Sequence, residues 1–212
     1  CGCHADDGYD ELQSTMAKYF GAPWSHPPTI DVTAAHYREK NIAAVIFPVD
    51  SERETGYRRY DNYEVADACA KNSDILIPFA SIDPSKGKAG AREARRLVKE
   101  FGAKGFKFPP TMQGFFPNER WAYPLYEAIA EEGAVMLFHT GQTGVGSGMR
   151  GGMGMRLKYS NPVHVDDVAE AFVRVTLANS SHYPLYNTGG EAISMGVLAD
   201  IVLEGLRAEG AV

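Results

Sequence analysis

Cysteine is nearly missing from this chain. Cys1, Cys3 and Cys69 are the only ones in 212 residues, too few for a disulfide framework. A reducing compartment, the cytoplasm, is therefore the expected location. Cys1-Gly2-Cys3 offers soft thiols to a metal, but two thiols at a chain end are more simply incidental. Long apolar runs are missing too. None approaches the roughly 20 residues of a membrane span, and no secretory leader is visible. Positive charge is in deficit, with 21 Lys and Arg against 27 Asp and Glu and a formal net charge of -6. That balance excludes an electrostatically driven nucleic-acid or anionic-membrane partner. There is no Gly-x-Ser-x-Gly elbow, and no cysteine sits in a nucleophile-like context, which sets aside serine and cysteine hydrolase chemistry. The chain is long enough for one sizeable core but short of the roughly 250 residues of a complete eight-fold βα barrel. It opens at Cys1 rather than methionine, as expected of a fragment or a processed form.

What is present is an alternation of helix and strand at a spacing of about 30 residues, the pattern of βα units. Tyr9, Leu12, Met16 and Tyr19 stand at helical spacing, and Pro23, Pro27 and Pro28 end that segment. Thr29 or Asp31 caps a second helix that runs toward Lys40. Ala43 to Phe47 is a strand closed by Pro48. A helix near Asn62 to Ala70 precedes the strand Ile75 to Ala80. Ala94, Leu97, Val98 and Phe101 form one apolar helical face, stopped by Gly102. Gly105 to Phe108 is the following strand. Leu125, Ala128 and Ile129 mark another helix, ended by Gly133. Further on, Val165, Val168, Ala169 and Phe172 predict a helix, Pro184 to Asn187 a short strand, and Met195, Leu198, Ala199 and Val202 a last helix behind Ser194. No linker or low-complexity tail interrupts the chain. The expectation is one α/β domain over residues 1–212, with about five or six strands, mostly parallel.

The strand Val135-Met136-Leu137-Phe138 ends abruptly in His139-Thr140-Gly141. A histidine at the C-terminal end of a buried parallel strand points to where α/β proteins do their chemistry, so His139 is the lead candidate for a metal ligand or proton-transfer group. The competing reading is a core-edge histidine bonded to backbone. Lys107 interrupts the apolar run Phe106-Lys107-Phe108 one unit earlier. Parallel strands are buried on both faces, so a lysine there needs a reason: an anionic substrate, or a metal if carbamylated. Alternatively it snorkels to solvent from the strand end. Gln113, Phe115 and Phe116 in the next loop, and Thr140 beside His139, are candidates for substrate binding, against ordinary packing. His4 and Asp6 share one side of a strand at i and i+2 and suit a hard or borderline metal, unless the N-terminus frays. Asp166 and Asp167 behind His164 most simply cap a helix. His26, His36 and His182 show no partner pattern.

Gly146-Ser147-Gly148-Met149-Arg150-Gly151 matches G-x-G-x-x-G, but a dinucleotide fingerprint follows its strand at once and opens a helix. Here the loop starts late, and Gly152-Met153-Gly154 is a poor helix start. A glycine-rich lid over His139 is the better reading.

From about Thr29 to Asp167 the chain resembles the amidohydrolase-related family. The motifs are Ala80-Ser81-Ile82-Asp83-Pro84, Gly105-Phe106-Lys107-Phe108, Gln113-Gly114-Phe115-Phe116-Pro117-Asn118, Tyr123-Pro124-Leu125-Tyr126, Phe138-His139-Thr140-Gly141 and Lys158-Tyr159-Ser160-Asn161-Pro162. The resemblance implies a partial or distorted (βα) TIM-like barrel with a divalent metal, Zn²⁺ or Mn²⁺, at the C-terminal ends of its strands. His139 matches the family's ligand on the fifth strand. The family's opening Asp-x-His-x-His corresponds here to Gly2-Cys3-His4-Ala5-Asp6. His4 fits the first histidine, Asp6 replaces the second, and Gly2 replaces the leading aspartate. After Asp167 the family's later histidine and catalytic aspartate are not found. Residues 165–212, around Asp166-Asp167 and Tyr186-Asn187-Thr188-Gly189-Gly190, resemble instead the end of extended short-chain dehydrogenases of the sugar-nucleotide epimerase type. The nucleotide fingerprint and the Tyr-x-x-x-Lys pair of that group are absent.

The resemblance implies a metal-dependent enzyme that hydrolyses, or decarboxylates without oxidation, a small carboxylated and aromatic substrate. Lys107 would hold the carboxylate, and His139, His4 and Asp6 the metal. The missing aspartate predicts weak or absent activity. Two other readings stand beside it: an inactive scaffold or assembly subunit, and a sugar-nucleotide epimerase-like fragment. The expected partners are a small molecule and further copies of the chain.

Overall fold

Thr29 starts the helix at Ile30 as a threonine N-cap should, its Oγ1 accepting the Val32 N–H at 3.3 Å from an extended backbone. The computed structural model describes residues 28–161, together with 14, 17–19 and 21. Helix α1 (Ile30–Glu39) buries Ile30 and Ala34 and leads to strand β1 (Ala44–Ile46). A single helical turn, α2 (Glu52–Thr55), follows. Asp61 caps α3 (Asn62–Lys71) by accepting the Tyr63 N–H at 2.8 Å. Next come β2 (Leu76–Ala80), α4 (Gly87–Phe101), β3 (Gly105–Phe108), the short α5 (Pro110–Gln113), α6 (Tyr123–Glu131) and β4 (Val135–Phe138). Gly102 ends α4 at φ 71, its N–H bonded to the Leu97 carbonyl, a left-handed stop that glycine adopts without steric cost. From Thr29 to β4 the anticipated elements are all present, and the short turns α2 and α5 are additions; the helix anticipated around Tyr9, Leu12, Met16 and Tyr19 lies largely outside the described residues.

The strands form one parallel sheet in the order β1-β2-β3-β4. Val45 pairs with Ile77, Phe79 with Gly105, and Lys107 with Leu137. Pro78 has no N–H to donate. Pairing of β2 with β1 ends at Pro78, and pairing with β3 takes up at Phe79.

Alternation along the strands sorts the side chains. Ala80, Phe106, Phe108 and Phe138 pack with Ala94 and Leu97 of α4 and with Leu125, Tyr126 and Ile129 of α6 in the larger core. Ile46 and Leu76 pack with Ile30, Ala34, Val65 and Cys69 in the smaller one. Each fully buried large side chain of this kind contributes about 1.5–3 kcal/mol. The opposite face carries Val45, Ile77, Phe79, Lys107 and Leu137, and it is only partly covered: Val45 is 39% and Ile77 37% exposed. The expectation of strands buried on both faces is corrected here, because the helices of the described residues cover one face only.

Residues 1–13 and 162–212, with the helices and strand anticipated beyond His164, lie outside the described residues. No helix among the described residues is long and apolar enough to cross a membrane. The stretch after Gly146 opens no α-helix. Gly151, Gly152 and Met153 hold φ of 62, 58 and 57 in a kinked 3-10 segment (Arg150–Gly154), so the G-x-G-x-x-G match lacks the helix a dinucleotide site needs.

Candidate active site

The C-terminal ends of the strands converge on a buried polar network. Asp50 follows β1, Ser81 and Asp83 follow β2, and Gln113 follows β3. The Asp83 N–H donates to Asp50 Oδ2 at 2.8 Å, and the Lys86 ammonium pairs with the same oxygen. The Ser81 hydroxyl accepts the Asp50 N–H at 3.1 Å and donates to the Lys107 carbonyl at 2.8 Å. Gln113 Nε2 donates to the Asp50 carbonyl at 2.9 Å. Arg53 on α2 donates to Asp83 Oδ2 at 3.0 Å and also reaches the Gln113 carbonyl. Asp50, Asp83 and Gln113 are all buried. Two buried carboxylates are tolerable because each meets a cation and a hydrogen-bond donor. The network ties the turns after β1, β2 and β3 to one another. Of its members, sequence reasoning singled out Gln113 and, within one motif, Ser81 and Asp83. It missed Asp50, Arg53 and Lys86, although an aspartate directly after an apolar strand closed by Pro48 was a usable signal.

Lys107 and His139 come together on one face. Lys107 is paired with Leu137 on β4, and the His139 N–H continues the ladder to the Phe108 carbonyl at 2.8 Å. Alternation then puts Lys107, Leu137 and His139 on the side away from the helices, with His139 nearer the C-terminal edge. The Lys107 ammonium lies 5.6 Å from the centre of the Phe47 ring. Burial alone pulls its pKa from 10.5 down to about 8, since a desolvated ammonium with no anion beside it prefers to be neutral. Phe79 reaches across the same face: a Cβ on Gly105 would lie 2.5 Å from its ring. The His139 ring meets the glycine loop, with Nε2 2.9 Å from the Gln142 carbonyl.

The remaining candidates separate. Thr140 Oγ1 is buried and has no partner among the described residues, and the same holds for Gln113 Oε1. Gln113 acts on backbone groups of neighbouring turns. Phe115 is 0% exposed, sits in the larger core and leans on Trp121 at 5.7 Å, so its place is in the packing. Phe116 is half-buried and meets Tyr159 edge-to-face at 4.7 Å, at the far end of the glycine loop. The two adjacent aromatics thus take opposite roles. His4, Asp6 and His164 lie outside the described residues. Among the described residues no group of ≥ 3 His, Cys, Asp and Glu side chains could hold a metal. A metal at His139 therefore needs ligands from beyond them. Cys69 is no candidate ligand or nucleophile: it is buried, and burial raises its thiol pKa to about 11.

A parallel sheet flanked by helices, with polar residues gathered at the C-terminal strand ends, defines the chain as an α/β protein of the barrel type. The family profile described as amidohydrolase matches residues 1–180, and the chain belongs to that family. The match runs through residues 165–180, across the point where the short-chain dehydrogenase resemblance begins, and nothing in the comparisons supports that resemblance. No curated protein matches the chain. Among solved structures, an uncharacterised TIM-barrel protein, Bb4693 from Bordetella bronchiseptica, is similar with a TM-score of 0.53 and 17% identity over 75% of this chain and 54% of that one. The 5-carboxyvanillate decarboxylase of Novosphingobium aromaticivorans, complexed with manganese and 4-hydroxy-3-methoxy-5-nitrobenzoic acid, gives 0.45 and 19% over 76% of this chain and 51% of that one. The 5-carboxyvanillate decarboxylase LigW of Sphingomonas paucimobilis gives 0.39 and 16% over 56% and 36%. The chain therefore spans about half the length of these structures or less. The likeness to Bb4693 shows the fold, a partial βα barrel.

Proposed function

We propose that the chain is a metal-dependent amidohydrolase-type enzyme. Its substrate is a small carboxylated aromatic molecule, which it hydrolyses or decarboxylates without oxidation. The observation that carries this reading is the placement of Lys107 and His139 on one face of adjacent parallel strands, near their C-terminal edge. Lys107 binds the substrate carboxylate. Its ammonium is desolvated and, among the described residues, no carboxylate pairs with it. An incoming carboxylate supplies the missing counter-charge, and Phe47 and Phe79 offer ring surface beside it. Thr140 and Phe116 border the same end of the sheet. Gln113 supports the turns rather than touching substrate.

His139, with His4 and Asp6, would hold Zn²⁺ or Mn²⁺. Such an ion, when bound, polarises a carbonyl or lowers the pKa of water. The manganese complex of the Novosphingobium decarboxylase makes Mn²⁺ the first ion to try, and the nitrobenzoic acid bound in it makes substituted benzoates the first substrates. The sparse cysteines suit a cytoplasmic setting.

The test is an assay of the full chain, loaded with Mn²⁺ or Zn²⁺, against hydroxybenzoates for carbon dioxide release and against carboxylated lactones for hydrolysis. Lys107→Met is expected to raise KM for acids about 10- to 100-fold, the worth of a charged hydrogen bond, and to leave neutral esters unaffected. Equal loss toward acids and esters contradicts the assignment of Lys107.

The partly open sheet face favours a second reading, a scaffold subunit that covers Val45 and Ile77 with another copy of itself. Sedimentation of a metal-free, inactive dimer would support it. A monomer that turns over substrate would exclude it.

A further inference from the structure

His139 is held twice. Its main chain belongs to the sheet through the bond to Phe108, and its ring is held by a loop. The Gln142 carbonyl, 2.9 Å from Nε2, can only accept a hydrogen bond, so Nε2 carries the proton. In a neutral imidazole that leaves the lone pair on Nδ1. The carbonyl is itself anchored. Gly141 donates its N–H to the Ser160 carbonyl at 2.7 Å. The single Ser160 hydroxyl proton is shared between the Gly141 carbonyl at 2.6 Å and the Leu157 carbonyl at 2.9 Å. Both ends of the glycine-rich loop, residues 141–160, are thereby pinned to each other. Gly141 holds φ 76, a left-handed conformation that aims the next carbonyl where it is and that a side chain would strain. The loop's far end is docked separately. Tyr159 packs on Phe116, and the Lys158 ammonium lies 4.7 Å from the centre of the Tyr159 ring and 5.5 Å from that of Phe116.

We propose that the glycine-rich loop is a positioning device for His139. Through the Gln142 carbonyl it fixes the imidazole as the Nε2–H tautomer and turns Nδ1 outward as the basic nitrogen that meets a ligand. A histidine bound through one nitrogen is oriented by the bond its other nitrogen donates, and here that bond goes to backbone. The side chain of residue 142 is then irrelevant, whereas Ser160, 21 positions beyond His139 in sequence number, governs the ring. The proposal rests on His139 being a site residue, as read above, but its test does not depend on activity.

The test is long-range ¹H–¹⁵N spectroscopy of the ¹⁵N-labelled full chain without metal, with the His139 signals identified by comparison with His139→Gln. His139 is expected wholly as Nε2–H, with a ring proton protected from exchange. Ser160→Ala should speed that exchange about tenfold, the loss of roughly one hydrogen bond, while Gln142→Ala leaves it unchanged. Should Ser160→Ala fail to fold, the wild-type spectrum still decides. An Nδ1–H tautomer, or a ring proton exchanging as fast as that of an exposed histidine, overturns the proposal. Equal effects of Gln142→Ala and Ser160→Ala also overturn it. Zinc titration separates this inference from the proposed function. A shift at Nδ1 with Nε2–H retained supports both, and metal on Nε2 overturns the loop assignment. A His139 spectrum untouched by zinc counts against the metal reading, while the metal-free spectrum stands for the loop.

Discussion

Lys107 holds its charge at a cost. Burial lowers its pKa from 10.5 to about 8, so between those values the unfolded chain binds more protons than the folded one. Stability of the native state therefore rises with pH from about 8 to 10.5. Lys107→Met removes the buried ammonium and is expected to stabilise the protein at pH 7 by about 1–3 kcal/mol, a gain that fades toward pH 10. Urea unfolding at pH 7 and pH 9.5 checks this, and a loss of stability at pH 7 would place the ammonium on an unseen counter-ion. Gly105 is tied to the same face. A Cβ there would lie 2.5 Å from the Phe79 ring and 2.8 Å from the Val135 carbonyl. Gly105→Ala should cost about 1–3 kcal/mol through overpacking, read as a lower urea midpoint. Both Lys107 and His139 were legible in the sequence because each breaks an apolar run. Phe115 and Phe116 were not separable there. Gly114, just before them, is held at φ 68, and a Cβ there would lie 2.5 Å from the Glu54 carboxylate carbon, a close approach that only glycine allows.

At the scale of elements, the helices and strands followed from apolar spacing and caps, and their order gave the parallel sheet. Thr29 and Gly102 began and ended helices by local chemistry. The turns between elements were not legible in this way. Asp50 and Arg53 gain their roles from Ser81, Asp83 and Gln113, and Lys86 gains its role from Asp50, partners that lie tens of residues away. The network predicts its own weak point. Asp50→Ala strips an acceptor from the Asp83 N–H and the counter-charge from Lys86, and should cost about 2–4 kcal/mol. Asp50→Asn, which keeps one acceptor oxygen, should cost less. Chemical denaturation of the two variants orders them, and equal losses would show that the charge, not the acceptor, holds the turns.

For the molecule as a whole, the described residues build part of a barrel, with helices on one face and a half-covered face bearing Lys107 and His139 on the other. The barrel class was legible from the βα repeat and from the family motifs. The degree of coverage was not, because it depends on which segments pack across the sheet, and periodicity does not record that. The central claim is that His139 belongs to a working metal centre. Elemental analysis of the purified full chain beside His139→Ala tests it most directly. The account predicts about one Zn²⁺ or Mn²⁺ per chain, the stoichiometry of a mononuclear site, with the metal lost in the variant. No metal in either protein after incubation with excess Zn²⁺ or Mn²⁺, or equal metal in both, would contradict it.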